Sequence, residues 1–194
     1  IATVIATVLG TMLAFAMVRH RFRGRGTSNV LVFVPMATPE IVLGASLLTI
    51  FVQGFSNVGL QLGFSTVVIA HIMFCVSFVA LTVKARVRGF DWTLEDAAMD
   101  LGASPWRTFR KVTLPLIVPG IVAAALLSFA LSMDDYIITD FTKGEFVTFP
   151  IRVNNAFRVA FPPQVNVLAT IVLVVSVLLL VISSVRGEKG GVAR

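Results

Sequence analysis

Apolar residues along this chain run continuously instead of alternating, and five runs are long enough to be transmembrane helices. Residues 1–18 contain no charge, about 27 Å of helix at 1.5 Å per residue. The second run, 30–52, is interrupted by Pro35, Pro39 and Glu40, and the third, 64–83, contains His71. The fourth, 114–133, has Pro115 and Pro119 near its start, and the fifth, 167–185, is uncharged throughout. Unbroken runs of this kind argue against a β-barrel, whose strands alternate. The polar interruptions predict a bundle of five spans in one domain covering residues 1–194. Residues 149–161 read as a short amphipathic helix stopped by Pro162-Pro163.

Composition narrows the class. Hydrophobic residues make up 57% of the 194, charged residues 13%, and the mean hydropathy is +0.92. A soluble domain carries about 25% charged residues, so this chain has too few to cover a water-facing surface. Disorder is excluded by the same apolar content. The single cysteine, Cys75, permits no internal disulfide and sits in an apolar run, which predicts an inert buried thiol.

The net charge of +6 reads as an orientation signal, not as a nucleic-acid footprint. Residues 19–26 hold four arginines, 53–63 hold no charge, 84–111 hold six basic residues, 134–166 hold three, and the tail after 185 holds three. Alternate segments therefore carry 13 basic residues on one side and three on the other. The first loop, the third loop and the tail belong in the cytoplasm, with Ile1 outside. The chain starts inside an apolar run with no basic leader, unlike a signal peptide. We expect one preceding helix, making six spans.

The third loop, 84–113, is the most informative segment. Thr93 with Asp96 has the spacing of a capping box, and Asp91 is an alternative cap. Residues 94–101 form a predicted short helix with acids in its first turn, stopped at Gly102. Ser104-Pro105 suits the cap and first position of a second helix, which carries Arg107, Arg110 and Lys111 into the fourth span. The first helix offers the small residues Ala97 and Ala98 beside carboxylates, a surface that a partner backbone could approach closely. The competing reading is an ordinary solvated loop.

That segment resembles the EAA loop of type I ABC-importer permeases (the MetI-like helical bundle), with Asp96-Ala97-Ala98, Gly102 and Leu114-Pro115 at the family's spacing and Pro119 beyond. Asp96 stands for the family's Glu, and Glu95 precedes it. Further segments are similar to the spermidine/putrescine permeases of that family. These are Ser128-Phe129-Ala130-Leu131-Ser132-Met133-Asp134-Asp135-Tyr136, Arg21-Phe22-Arg23-Gly24, Pro39-Glu40-Ile41-Val42 and Asn166-Val167-Leu168-Ala169-Thr170. Asp140 and Phe161-Pro162-Pro163 depart from that pattern. The resemblance implies one non-catalytic membrane half of an ATP-driven polyamine importer in the bacterial cytoplasmic membrane. It also implies a homologous second permease, two ATPase subunits carrying ATP-Mg, and an extracytoplasmic substrate-binding protein. ATPase coupling falls by resemblance on Glu95, Asp96, Ala97, Ala98, Leu101, Gly102 and Ala103. Import of another solute (ferric iron, an inorganic anion or a thiamine-like cation) and an autonomous secondary transporter or channel are the alternatives.

The residues themselves offer no catalytic centre. None of Lys84, Lys111, Lys143 and Lys189 lies in a phosphate-binding G-x-x-x-x-G-K-[ST]. His20 and His71 fall on different levels of the topology, so no metal cluster is expected and no cofactor on this chain. Asp134 and Asp135 are adjacent carboxylates at a membrane boundary, where a cation between them relieves their repulsion. An ammonium at 4 Å would contribute about 4 kcal/mol before desolvation. With Tyr136 as a cation–π face, they read either as the lining of an outward cavity that attracts or passes a cationic substrate or as outer-interface acids that cap a helix or bond a partner subunit. Pro35 and Pro39 break local backbone hydrogen bonds, so Glu40 reads either as part of a kinked, cavity-lining site or as a carboxylate hydrogen-bonded to the freed backbone groups or to the other permease. His71 reads as a packed, hydrogen-bonded interhelical residue in preference to a proton relay. The arginines at 19–25 read as a topological anchor to anionic membrane lipid.

Overall fold

The computed structural model describes residues 1–20, 23–55 and 59–159, with 166, 167, 170, 171 and 174. The expected fifth span at 167–185 and the Phe161-Pro162-Pro163 segment lie almost wholly outside the described residues. Among the described residues every regular element is a helix. The chain divides into two compact units, Ile1–Pro150 and Ile151–Arg194. The first contains both candidate sites.

Helix α1 (Ala2–Arg19) buries Ala2, Ala6, Gly10 and Ala14, a stripe of small residues at every fourth position. It packs on α4 (Phe64–Arg88). Lipid offers no hydrophobic drive for helix association, so the contact depends on close van der Waals approach. A Cβ on Gly10 would lie 2.7 Å from Val79 Cβ and 3.0 Å from the Ala80 backbone nitrogen. Gly10→Val is therefore expected to destabilise the protein by about 1–3 kcal/mol. Thermal melting of the full-length protein in nanodiscs checks this, and an unchanged midpoint would refute the close contact.

The apolar run at 30–52 is not one rod. It forms α2 (Arg25–Ala37) and α3 (Glu40–Thr49), the latter continued by a π-helical turn at Ile50–Gly54, and the two parts bend by 106°. The bend has a local cause. Pro39 has no N–H to donate, and its ring pushes the preceding residue out of helical geometry. Thr38 is accordingly extended, at ψ 131°. Pro35 sits inside α2 without ending it.

Helix α4 outruns the expected 64–83 and carries Lys84, Arg86 and Arg88 before Gly89. Cations in the last turn suit the negative end of the helix dipole. Beyond it come α5 (Thr93–Asp100), α6 (Pro105–Thr108), a π-helical turn at Phe109–Thr113, and α7 (Leu114–Asp134). From Pro105 to Asp134 the path is one helical rod of 30 residues, so the basic helix does run into the fourth span. Two further helices follow, α8 (Ile137–Thr142) and α9 (Phe149–Val159). The latter matches the expected amphipathic helix as far as it is described.

Three described helices are long and apolar enough to cross a membrane, and the bent α2–α3 pair would be a fourth. The interior is thin. One cluster joins Ala6, Leu43, Phe51, Phe74, Cys75 and Ile138, and a second joins Ala14, Val79, Val83, Ile117 and Ala124. Cys75 is fully buried, and its S–H donates to the Ser128 carbonyl at 3.6 Å. Meanwhile α7 exposes Val122, Leu126 and Phe129 along its outer face, as a helix facing hydrocarbon can.

Candidate functional site

Two groups of residues have chemistry worth building up, one at each end of the helices. At the basic end, α5 and α6 form a short helical hairpin. Asp91 starts α5: its Oδ1 accepts the Thr93 backbone N–H at 3.1 Å and the Thr93 hydroxyl at 2.8 Å. The helix start is therefore held by Asp91, not by the Thr93–Asp96 box: Thr93 is already the first helical residue, and the Asp96 N–H bonds the Trp92 carbonyl, not the Thr93 hydroxyl. The helix ends in a Schellman motif. Gly102 N–H donates to the Met99 carbonyl at 2.9 Å, and Ala103 N–H donates to the Ala98 carbonyl at 3.1 Å. This closure places Gly102 at φ +85°, a left-handed conformation that glycine adopts without a Cβ penalty. Ser104 Oγ accepts the Arg107 N–H at 3.4 Å, with Pro105 at the first helical position, as expected.

The hairpin turns an unusual face to solvent. Leu101 is 90% exposed and Trp106 70% exposed. Asp96, Ala97 and Gly102 are exposed beside them, and Ala98 and Ala103 are half-buried.

Glu95 departs from the rest of the expected coupling set by facing inward, only 5% exposed. Its Oε2 accepts Arg19 Nη2 at 2.8 Å and its Oε1 accepts Arg19 Nη1 at 3.1 Å, a two-pronged ion pair. The Thr113 hydroxyl also donates to Oε1. The Arg19 guanidinium lies 5.5 Å from the centre of the Trp92 ring. Successive residues on a helix point about 100° apart, so Glu95 and Asp96 cannot share one face. Glu95 therefore ties α5 to the end of α1 and to the turn that leads into α7. Sequence reasoning missed Arg19 and Thr113, since nothing in the spacing of 19, 95 and 113 announces contact.

The second group lies at the opposite end of α4 and α7. Asp135 closes α7 and caps α8, its carboxylate accepting N–H bonds from Ile138 at 3.3 Å and Thr139 at 2.9 Å. Its Oδ2 also accepts the Thr139 hydroxyl at 3.0 Å and lies 3.2 Å from His71 Nε2. His71 Nδ1 meets Ser132 Oγ at 2.8 Å, and Nε2 meets Thr139 Oγ1 at 2.8 Å. The bonds are all satisfied if Ser132 donates to Nδ1 and the Nε2–H is shared between Thr139 and Asp135, a tautomer inferred from the partners. His71 is thus the hydrogen-bonded interhelical residue that was expected.

This knot forms one wall of a cavity of about 230 Å³, with Phe64, Phe146 and Phe149 on other walls. The buried Thr148 Oγ1, also in the lining, has no hydrogen-bond partner. Asp134 does not join the lining; it is the exposed last residue of α7. Tyr136 is the half-buried first cap of α8, and Glu40 is exposed in the first turn of α3, just past the bend. Of the four expected pathway residues, the fold brings only Asp135 to the cavity.

Comparison with known proteins agrees with this architecture. The chain is 41% identical over 179 residues to the spermidine/putrescine transport system permease protein PotC of Escherichia coli (strain K12), covering 92% of this chain and 66% of that one. It is 39% identical over 189 residues to the PotC of Haemophilus influenzae, covering 97% and 72%. The putrescine transport system permease protein PotI of Escherichia coli (strain K12) is 39% identical over 176 residues, covering 89% and 63%. The chain thus spans about two thirds of the length of such relatives. Among solved structures, an inward-facing MetNI methionine ABC transporter matches at a TM-score of 0.66 and 18% identity, over 97% of this chain and 90% of that one. An amino acid ABC transporter matches at 0.61 and 16%, covering 97% and 88%. These neighbours share the all-helical permease fold. The family of binding-protein-dependent transport system inner membrane components matches residues 6–187, and with the fold, the apolar helices and the relatives in agreement, the chain belongs to that family of multi-pass membrane proteins.

Proposed function

We propose that this chain is one permease subunit of an ATP-driven importer for polyamines such as spermidine and putrescine, acting as a single membrane domain over residues 1–194. The observation that carries the reading is the hairpin at 93–108. It presents Leu101 and Trp106 to solvent while Glu95 anchors its back to α1 and α7. An exposed apolar tip on a rigidly tied lever suits docking into a groove of a separate ATPase subunit, which would bind ATP-Mg and perform the hydrolysis. A stroke of that ATPase would move α5, and α1 and α7 would follow as rigid bodies in alternating access. A second homologous permease, a second ATPase and an extracytoplasmic binding protein complete the assembly. The test is ATP hydrolysis by the reconstituted full-length complex with its binding protein. Putrescine or spermidine should stimulate it and unrelated solutes should not; equal stimulation by an unrelated solute refutes the substrate, and no associated ATPase refutes the importer.

The names of the relatives and the buried Asp135 beside an aromatic-walled cavity support a cationic cargo. An ammonium could approach the ring faces and the carboxylate together. The two neighbouring acids should then differ sharply. Asp135→Asn removes the charge facing His71 and weakens the α8 cap, and is expected to lower polyamine uptake by about tenfold or more, at roughly 1.5–3 kcal/mol for a charged hydrogen bond. Asp134→Asn is expected to change uptake by less than about twofold, as for an exposed surface substitution. Uptake assays in vesicles decide, and equal effects of the two would refute a pathway role for Asp135.

A further inference from the structure

The basic end holds a third cluster that neither the lever nor the cavity uses. On α4, Lys84 and Arg88 stand four residues apart, and on α2 so do Arg25 and Asn29, so each pair shares a helix face. The Lys84 ammonium bonds the Asn29 side-chain oxygen, joining the two faces, and Asn29 Nδ2 donates back to the Arg25 carbonyl at 2.8 Å. Lys84 is only 6% exposed, and Arg25 and Arg88 both repel it electrostatically. Among the described residues no carboxylate pairs with any of the three cations. Burying a cation without an anion is costly, and crowding two guanidinium groups beside it adds to that cost.

Depth supplies the missing partner. Arg25 opens α2 and Arg88 closes α4, and the apolar runs that begin at 30 and end at 83 put both just beyond the hydrocarbon. Lys84 and Asn29 lie one turn deeper, about 6 Å further along each axis. By the Lys/Arg asymmetry of the chain this is the cytoplasmic side, whose leaflet carries anionic lipid. We propose that the α2–α4 seam, through Arg25, Lys84 and Arg88, is a binding site for the phosphate headgroup of an anionic phospholipid. The headgroup would bridge Arg25 and Arg88, with Lys84 beneath it, and its acyl chains would lie along the exposed Val30, Leu31 and Phe33 of α2.

Native mass spectrometry of the full-length protein in its delipidated transporter complex tests this directly, with phosphatidylglycerol and phosphatidylcholine offered in equal amounts. The wild type should retain phosphatidylglycerol preferentially. R25Q/R88Q removes two charges that are not buried in the core, and should weaken that binding about 30-fold, or about 2 kcal/mol at roughly 1 kcal/mol per cation. Lys84→Met keeps the apolar stem and should lower the preference in the same direction. Preference for phosphatidylglycerol that survives R25Q/R88Q, or no preference in the wild type, overturns the site. Displacement of the lipid by millimolar inorganic phosphate overturns the lipid assignment in favour of a free anion. Lipid retention is read independently of ATP hydrolysis and uptake, so its failure is distinguishable from failure of the importer reading.

Discussion

Arg19→Gln is expected to destabilise the protein more than Glu95→Gln, although each breaks the same ion pair. The asymmetry comes from burial: the Glu95 side chain is 7% exposed and that of Arg19 42% exposed. Without Arg19, a carboxylate remains among packed helices with only the Thr113 hydroxyl to bond. Stranding a buried charge costs about 3–5 kcal/mol, and water reaching the Arg19 side brings this to the lower end, about 3 kcal/mol. Without the Glu95 charge, Arg19 can turn to water or to headgroups, and the amide of Gln still accepts from Thr113. That loss should be about 1 kcal/mol. Thermal melting of the two full-length variants in nanodiscs separates the cases, and midpoints that coincide would show that Glu95 is not confined as described. Both variants also loosen α5 from α1 and α7. On the importer reading, each should hydrolyse more ATP per molecule of polyamine moved than the wild type does.

The second large effect belongs to Gly102. A Cβ there would meet nothing within 4 Å, so bulk alone is harmless. The cost lies in the backbone, because φ is +85° and a left-handed conformation costs a side-chain-bearing residue about 1–2 kcal/mol. Asn tolerates that region best, Ala less well, and β-branched Val worst. Relief would come from unwinding the Schellman turn, which would displace Leu101 on one side and Trp106 on the other. On the importer reading, polyamine transport should therefore fall in the order Asn, Ala, Val, by about 5- to 30-fold for Val. Melting should fall by no more than the cost of that strain, about 1–2 kcal/mol, since a Cβ at Gly102 meets no neighbour. Val at wild-type transport would refute a role for this turn in docking, and losses that do not follow this order of left-handed tolerance would refute the backbone account.

Both experiments probe a segment that was legible in unequal parts. Local rules were enough for the hairpin: Ser104-Pro105 begins a helix, Gly102 ends one, and the basic helix continues into the fourth apolar run. Asp91 displaced Thr93 as the cap, a choice between two short-range hydrogen-bond patterns that composition does not rank. In the apolar run at 30–52 the prolines announced a kink but not its size. Hydropathy sums over a window and carries no direction, so it is blind to the 106° turn that Pro39 and an extended Thr38 introduce.

The sequence by itself determined the membrane class, the helical elements, their start and stop signals, the basic asymmetry and the resemblance to importer permeases. Each of these depends on spacing along the chain or on composition, and needs no knowledge of what packs where. The tertiary structure alone decided that adjacent acids part company: Glu95 turns in to Arg19 while Asp96 faces solvent, and Asp135 turns in to His71 while Asp134 stays out. It also decided that Lys84 meets Asn29 across 55 positions of chain. The physical reason is the same in every case. A helix separates neighbours by about 100° and the bundle chooses which side is buried, so the environment of a charge is a property of the packed helices, not of the residues beside it in the chain.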